Sequence, residues 1–170
     1  MILYILRHAV AVEPGRPAYE DDSQRPLTGK GVVRMKQIAS GLRRMQVEFE
    51  WVFTSPHLRA RQTAEILAKS YDRQDNLIVT PALLPETPAG QIVAEINEKY
   101  SRCESLVLVG HEPFLSSFVS MLVSGDPTLD IVLKKGGLCR LKIDQLVYNR
   151  CATLEWLLYP FQLASLAGMD

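Results

Sequence analysis

The chain has 170 residues, 47% hydrophobic and 22% charged, with 19 basic residues balanced by 19 acidic ones. That composition excludes a disordered or fibrous protein, and one core could bury roughly 70% of the unfolded surface without disulfides or metals, so residues 1–170 are expected to form a single domain. The charge balance supplies no overall field toward nucleic acid or an anionic membrane, and neither is expected as a partner.

The chain opens with an unbroken apolar run, Ile2 to Leu6, that reads as a strand buried on both faces. This run is too short for a secretory h-region, and no stretch reaches the ~20 apolar residues of a membrane span. Met1 is therefore expected to begin the mature chain, in the cytoplasm. After a polar stretch over Glu13 to Gln24, Thr28 is placed to cap a helix with the apolar stripe Met35, Ile38, Ala39 and Leu42, slightly weakened by Gly41. Trp51-Val52-Phe53 reads as a second strand, followed by Ser55 as an expected N-cap, Pro56 at the first helical position and a helix with Ala60, Ala64 and Leu67 along one face. Leu77 to Val79 forms a third strand. Pro81, Pro85 and Pro88 then break the chain ahead of a helix carrying Ile92, Val93 and Ile96.

Leu106 to Val109 is the fourth strand and runs into Gly110-His111-Glu112-Pro113. A strongly apolar helix follows, with Phe114, Leu115, Phe118, Val119 and Leu122 on its buried face and its end near Gly125. Leu138 to Ile143 and Ala152 to Tyr159 alternate like two strands joined by a polar turn around Tyr148-Asn149-Arg150, an antiparallel hairpin at a sheet edge. The fold class is thus α/β, a three-layer α/β/α sandwich around a mostly parallel sheet. Cys103, Cys139 and Cys151 are odd in number and lack CxxC spacing, which argues against a disulfide framework and a zinc site and favours a reducing compartment.

Two of the three histidines follow strand ends, and ligands of open α/β sheets bind at the carboxyl ends of strands. Arg7, His8 and His111 are therefore candidates for one shared site, although a lone histidine there more often serves a loop carbonyl. Arg59 belongs in the first turn of its helix and Arg25 opens the helix capped by Thr28, both positions that favour an anion. Arg61 and Lys69 read as solvated surface residues, and His57 as a surface or rim residue. Two imidazoles and up to three guanidiniums at strand-to-helix junctions suit a phosphoryl group.

Leu6-Arg7-His8, Arg25-Pro26-Leu27-Thr28 with Gly31 behind it, Thr54-Ser55-Pro56-His57-Leu58-Arg59-Ala60-Arg61-Gln62-Thr63-Ala64, and Val109-Gly110-His111 resemble, in order, the blocks of the histidine phosphatase superfamily, the phosphoglycerate-mutase-like proteins. Within it this short chain is most similar to the SixA type of phosphohistidine phosphatase, which lacks the helical insertions of the mutases. The family's RHG triplet here reads Arg7-His8-Ala9. The resemblance implies a covalent phosphohistidine intermediate on His8, with Arg7, Arg59 and His111 stabilising the transferring group and Arg25 as a further anchor. Glu86, in the Leu84-Pro85-Glu86 loop, would be a general acid, a substrate contact or simply a solvated loop carboxylate. The substrate implied is a phosphohistidine-bearing protein such as a phosphotransfer domain, with no metal or other cofactor, and a monomer is the default state. A broader small-molecule phosphomonoesterase using Glu86 as its acid is the nearest alternative, and a non-catalytic phosphoprotein-binding module is another.

Overall fold

In the computed structural model, which describes residues 1–168, these residues form one six-stranded sheet and five α-helices. The strands are β1 (Ile2–Arg7), β2 (Trp51–Thr54), β3 (Leu77–Val79), β4 (Ser105–Gly110), β5 (Leu138–Ile143) and β6 (Ala152–Leu158). The helices are α1 (Gly29–Arg44), α2 (Leu58–Ser70), α3 (Gly90–Lys99), α4 (Phe114–Ser124) and α5 (Pro160–Leu166). The sheet order is β3-β2-β4-β1-β5-β6. β1 to β4 are parallel to one another, and β5 runs antiparallel between β1 and the edge strand β6.

Period-two alternation explains the layers. Tyr4 and Leu6 of β1, with Val52, Val107 and Val109, face a core shared with α1, α2 and α5; Leu3 and Ile5, with Phe53, Leu106 and Leu108, face the core under α3 and α4. The inner residues of β1 and β4 are fully buried, as their continuous apolar runs require when helices cover both faces. Trp156 of β6 packs beside Tyr4, with ring centroids 6.1 Å apart. Among the described residues no helix is long and apolar enough to cross a membrane.

Thr28 caps α1 as expected, its hydroxyl accepting from the Gly31 N–H at 2.9 Å. The second helix differs from expectation. It starts at Leu58 with His57 at the N-cap position, so Ser55 and Pro56 lie outside it and Ser55 is left free for another partner. Pro113 sits at the N-cap position of α4, directly ahead of the apolar helix expected there. Helix α5 has no counterpart in the expected elements. It is seven residues long, too short for a hydrophobic period to be read, and its start is marked by Pro160 and by Gln162, whose Oε1 accepts the Tyr159 N–H at 2.8 Å.

Gly41 also plays a different part from the helix-weakening residue its position suggests. A Cβ there would lie 1.9 Å from the carbonyl oxygen of Leu163, so its missing side chain is what lets α5 lie directly on α1.

The chain leaves β1 toward the face bearing α1 and leaves β4 toward the face bearing α4. Neighbouring parallel strands whose connections diverge to opposite faces open a crevice at their carboxyl ends. Arg7 pairs with Gly110 in the β1–β4 register, so the residues that step out of the sheet together at this crevice are His8 and His111.

Candidate active site

His8 follows β1, 6% exposed, pinned by its own N–H, which donates to the Gly110 carbonyl at 3.0 Å. Its Nδ1 lies 2.7 Å from the Ala9 carbonyl. A carbonyl only accepts, so Nδ1 carries the proton and Nε2 bears the free lone pair. The ring is 5.2 Å, centroid to centroid, from that of His111, which is 2% exposed. Burial pushes the pKa of His8 down to about 3, aided by the charges of Arg59, Arg7 and Lys135. Burial likewise pushes His111 down to about 2, with His8 and Arg59 adding to the effect. Both imidazoles are therefore neutral at physiological pH.

Ala9 occupies the position of the family glycine without narrowing the crevice. It is 1% exposed and packed in the core on the α1–α2 face, and its N–H donates to Thr63 Oγ1 at 3.0 Å. Thr63 Oγ1 in turn donates to the Arg59 carbonyl at 2.7 Å, tying the turn after β1 to the helix that carries Arg59.

Arg7 donates from Nη1 to the Leu133 carbonyl at 2.8 Å. Arg59 donates from Nη1 to the Asp22 carbonyl at 2.8 Å, and its Nη2 pairs with Asp22 Oδ2 at 3.0 Å and lies 3.2 Å from His57 Nδ1. Burial lowers the pKa of both guanidiniums, opposed by Glu112 at Arg7 and by Asp22 at Arg59, and both remain cations. Among the described residues, five buried side-chain nitrogen or oxygen atoms lack a hydrogen-bond partner, and three of them are Arg7 Nε, Arg59 Nε and His111 Nδ1. Orphaned buried polar atoms are costly, and an anion is one partner that two guanidinium N–H groups and an imidazole nitrogen could share.

The remaining expected residues fall outside this cluster. Arg25 is held by Asp22, Nε to Oδ1 at 2.6 Å, and by the Val12 carbonyl, so it joins the site through the carboxylate it shares with Arg59. The hydrogen bond from Arg25, then the charge of Arg59, holds Asp22 below the usual carboxylate range. Glu86 is exposed on the loop before α3, near enough to His57 for its charge to be felt there.

Sequence reasoning missed four participants. His57, expected as a surface or rim residue, is half-buried and takes part in the cluster: its ring centroid lies 4.8 Å from that of His111 and its Nδ1 accepts from Arg59. Ser55 Oγ is 2.9 Å from His111 Nε2. Asp22 clamps two arginines, and Lys135 contributes charge at His8. No local signal in the sequence marks Ser55; the pairing of Thr54 with Val109 in the sheet is what sets it beside the Gly110-His111 turn. A hollow of about 820 Å³ lies at the opposite, amino ends of β1 and β4, lined by Met1, Ile2 and Cys103 among others, far from this chemistry.

Comparison with known proteins gives independent findings. Residues 3–86 match the family model for the histidine phosphatase superfamily, branch 1. The chain is 38% identical over 143 residues to an uncharacterised protein of Picosynechococcus sp., covering 84% of this chain and 85% of that one. It is 30% identical over 127 residues to the phosphohistidine phosphatase SixA of Escherichia coli, covering 74% and 76%. A solved structure of the protein histidine phosphatase SixA complexed with tungstate superimposes with a TM-score of 0.82 at 27% identity, over 96% of this chain and 99% of that one.

Proposed function

The chain belongs to the histidine phosphatase superfamily, in its SixA-type group, and is a phosphatase; from that premise we propose that its substrate is phosphohistidine on a protein. In this reading His8 Nε2 attacks phosphorus in line, the bond from phosphorus to the leaving nitrogen breaks, and the phosphoryl group rests on His8 until water displaces it. Arg7 and Arg59 offer their unpartnered Nε–H groups, and His111 its unpartnered Nδ1 edge, to the equatorial oxygens, where negative charge gathers in the transition state. The single observation that carries the reading is the Nδ1 contact of His8 with the Ala9 carbonyl, because it frees Nε2 as a neutral nucleophile.

The leaving group argues for the substrate. An alkoxide departs only with a proton, whereas imidazole has a conjugate acid of pKa about 6.5 and can leave protonated at neutral pH. A phosphoramidate therefore needs no buried general acid, and Glu86, the candidate acid, is exposed at the rim. The test is turnover of a phosphohistidine peptide against a phosphoserine peptide of the same sequence. Preference for phosphohistidine is expected; faster hydrolysis of the serine ester would favour a phosphomonoesterase using Glu86, and no turnover of either would favour a binding module.

A further inference from the structure

We propose that Ser55 is a positioning residue that fixes the tautomer of His111, so that Nδ1–H is the face presented to the phosphoryl group. The proposal rests on the reading that His111 faces that group.

Ser55 is fully buried at the end of β2, and its N–H donates to the Val109 carbonyl at 3.0 Å, so its backbone is tied to the last residues of β4. Its hydroxyl has two neighbours. Oγ accepts the His57 backbone N–H at 3.4 Å and lies 2.9 Å from His111 Nε2. A serine here would ordinarily cap the following helix, but α2 begins three residues later, so the hydroxyl is turned to the imidazole.

A neutral imidazole has one N–H and one lone pair, and whichever bond one nitrogen makes decides the role of the other. Two arrangements fit a distance of 2.9 Å. In one, Nε2–H donates to Ser55, and Nδ1 turns a bare lone pair on its surroundings. In the other, Ser55 donates to Nε2, and Nδ1 carries the proton. Three features choose the second. Oγ can accept twice, but among the described residues its own proton has no acceptor other than Nε2, so only donation to His111 satisfies the hydroxyl. Nδ1 is buried without a partner, alongside the unpartnered Nε–H groups of Arg7 and Arg59, so all three orphans become donors only if Nδ1 is protonated. A lone pair in that position would repel the phosphoryl oxygens that the two guanidiniums attract. The result is a relay with one direction: His57 N–H to Ser55 oxygen, Ser55 O–H to His111 Nε2, and His111 Nδ1–H to the anion.

The two site histidines thus reach the same Nδ1-protonated state by different means and for opposite uses. His8 is fixed by a backbone acceptor and offers a lone pair from Nε2, while His111 is fixed by a side-chain donor and offers a proton from Nδ1.

The test is long-range proton–nitrogen NMR of the ¹⁵N-labelled protein at neutral pH, with His111 assigned by the peaks lost in His111→Gln. In the wild type His111 should be protonated at Nδ1 and bare at Nε2. In Ser55→Ala it should change to the Nε2–H form, while His8 keeps its Nδ1–H signature. Alongside this, kcat/KM for a phosphohistidine peptide should fall roughly tenfold, the worth of one hydrogen bond, and inhibition by tungstate should weaken to a similar degree. A wild-type His111 protonated at Nε2 overturns the proposal without recourse to any variant. So does a Ser55→Ala protein that loses activity with the His111 tautomer unchanged. Failure of the wild type to hydrolyse phosphohistidine would strike the substrate assignment instead, and would leave the spectrum as informative as before.

Discussion

Burial of two neutral imidazoles gives this fold a calculable weakness to mild acid. An unfolded histidine titrates near 6.5, whereas His8 and His111 are held at about 3 and about 2 in the fold. Between those limits the unfolded chain takes up protons that the folded chain refuses, so the stability these residues contribute is complete above pH 6.5 and is lost as pH falls toward 3. At pH 5, about 1.5 units below the unfolded value, the loss is about 2 kcal/mol for each histidine, or about 4 kcal/mol for the pair. This figure depends on the unfolded pKa alone as long as the folded value lies well under 5, and both do. The assay is urea unfolding of wild type and His8→Gln at intervals from pH 7.5 to 5, with free energies extrapolated to water. Carboxylates titrate alike in the two proteins and cancel in the difference. The variant should lose stability less steeply than wild type, by about 1.3 kcal/mol per pH unit near pH 5. Equal slopes would mean that His8 protonates in the fold near its ordinary value, and the neutral nucleophile would then be the minority form below about pH 6.5.

Three further outcomes follow from particular contacts. Arg59→Ala should lower kcat/KM on a phosphohistidine peptide by about 10²- to 10³-fold, the scale of one lost transition-state donor, and steady-state kinetics showing only a few-fold change would remove Arg59 from the site. Gly41→Ala should destabilise the protein by about 1–3 kcal/mol in urea unfolding despite the better helix propensity of alanine, because a methyl 1.9 Å from the Leu163 carbonyl must lift α5 from α1. A stabilised Gly41→Ala protein would show that α5 does not dock as described. Glu86→Gln should leave phosphohistidine turnover within about twofold of wild type, since a leaving imidazole carries its own proton, and a hundredfold loss would make Glu86 the acid after all.

The sheet and four of the helices were legible because their signals are local and long. Ile2 to Leu6 and Leu106 to Val109 are continuous apolar runs, and Met35, Ile38, Ala39 and Leu42 repeat at helical spacing on a face that is buried. The meeting of His8 and His111 was legible for a topological reason, since both follow strands that end at the same level of a parallel sheet. Helix α5 escaped because seven residues carry too little periodicity, and the role of Gly41 escaped because it depends on a carbonyl 122 residues further along the chain. Ser55 was misread for a related reason. Its sequence neighbourhood, followed by Pro56, resembles a helix start, and only the pairing of β2 with β4 turns its hydroxyl to His111. The clamp of Asp22 on Arg25 and Arg59 lies in the polar stretch Glu13 to Gln24, which has no period to read, so nothing in the sequence singles out its charge.

The central claim is that His8 carries the phosphoryl group between two half-reactions. The most direct measurement is rapid quenching of the enzyme into alkali during turnover of a ³²P-labelled phosphohistidine peptide, followed by peptide mapping. The account predicts an acid-labile, base-stable label on His8 that disappears in His8→Ala together with turnover. Label on another residue, or full turnover by His8→Ala, would contradict it.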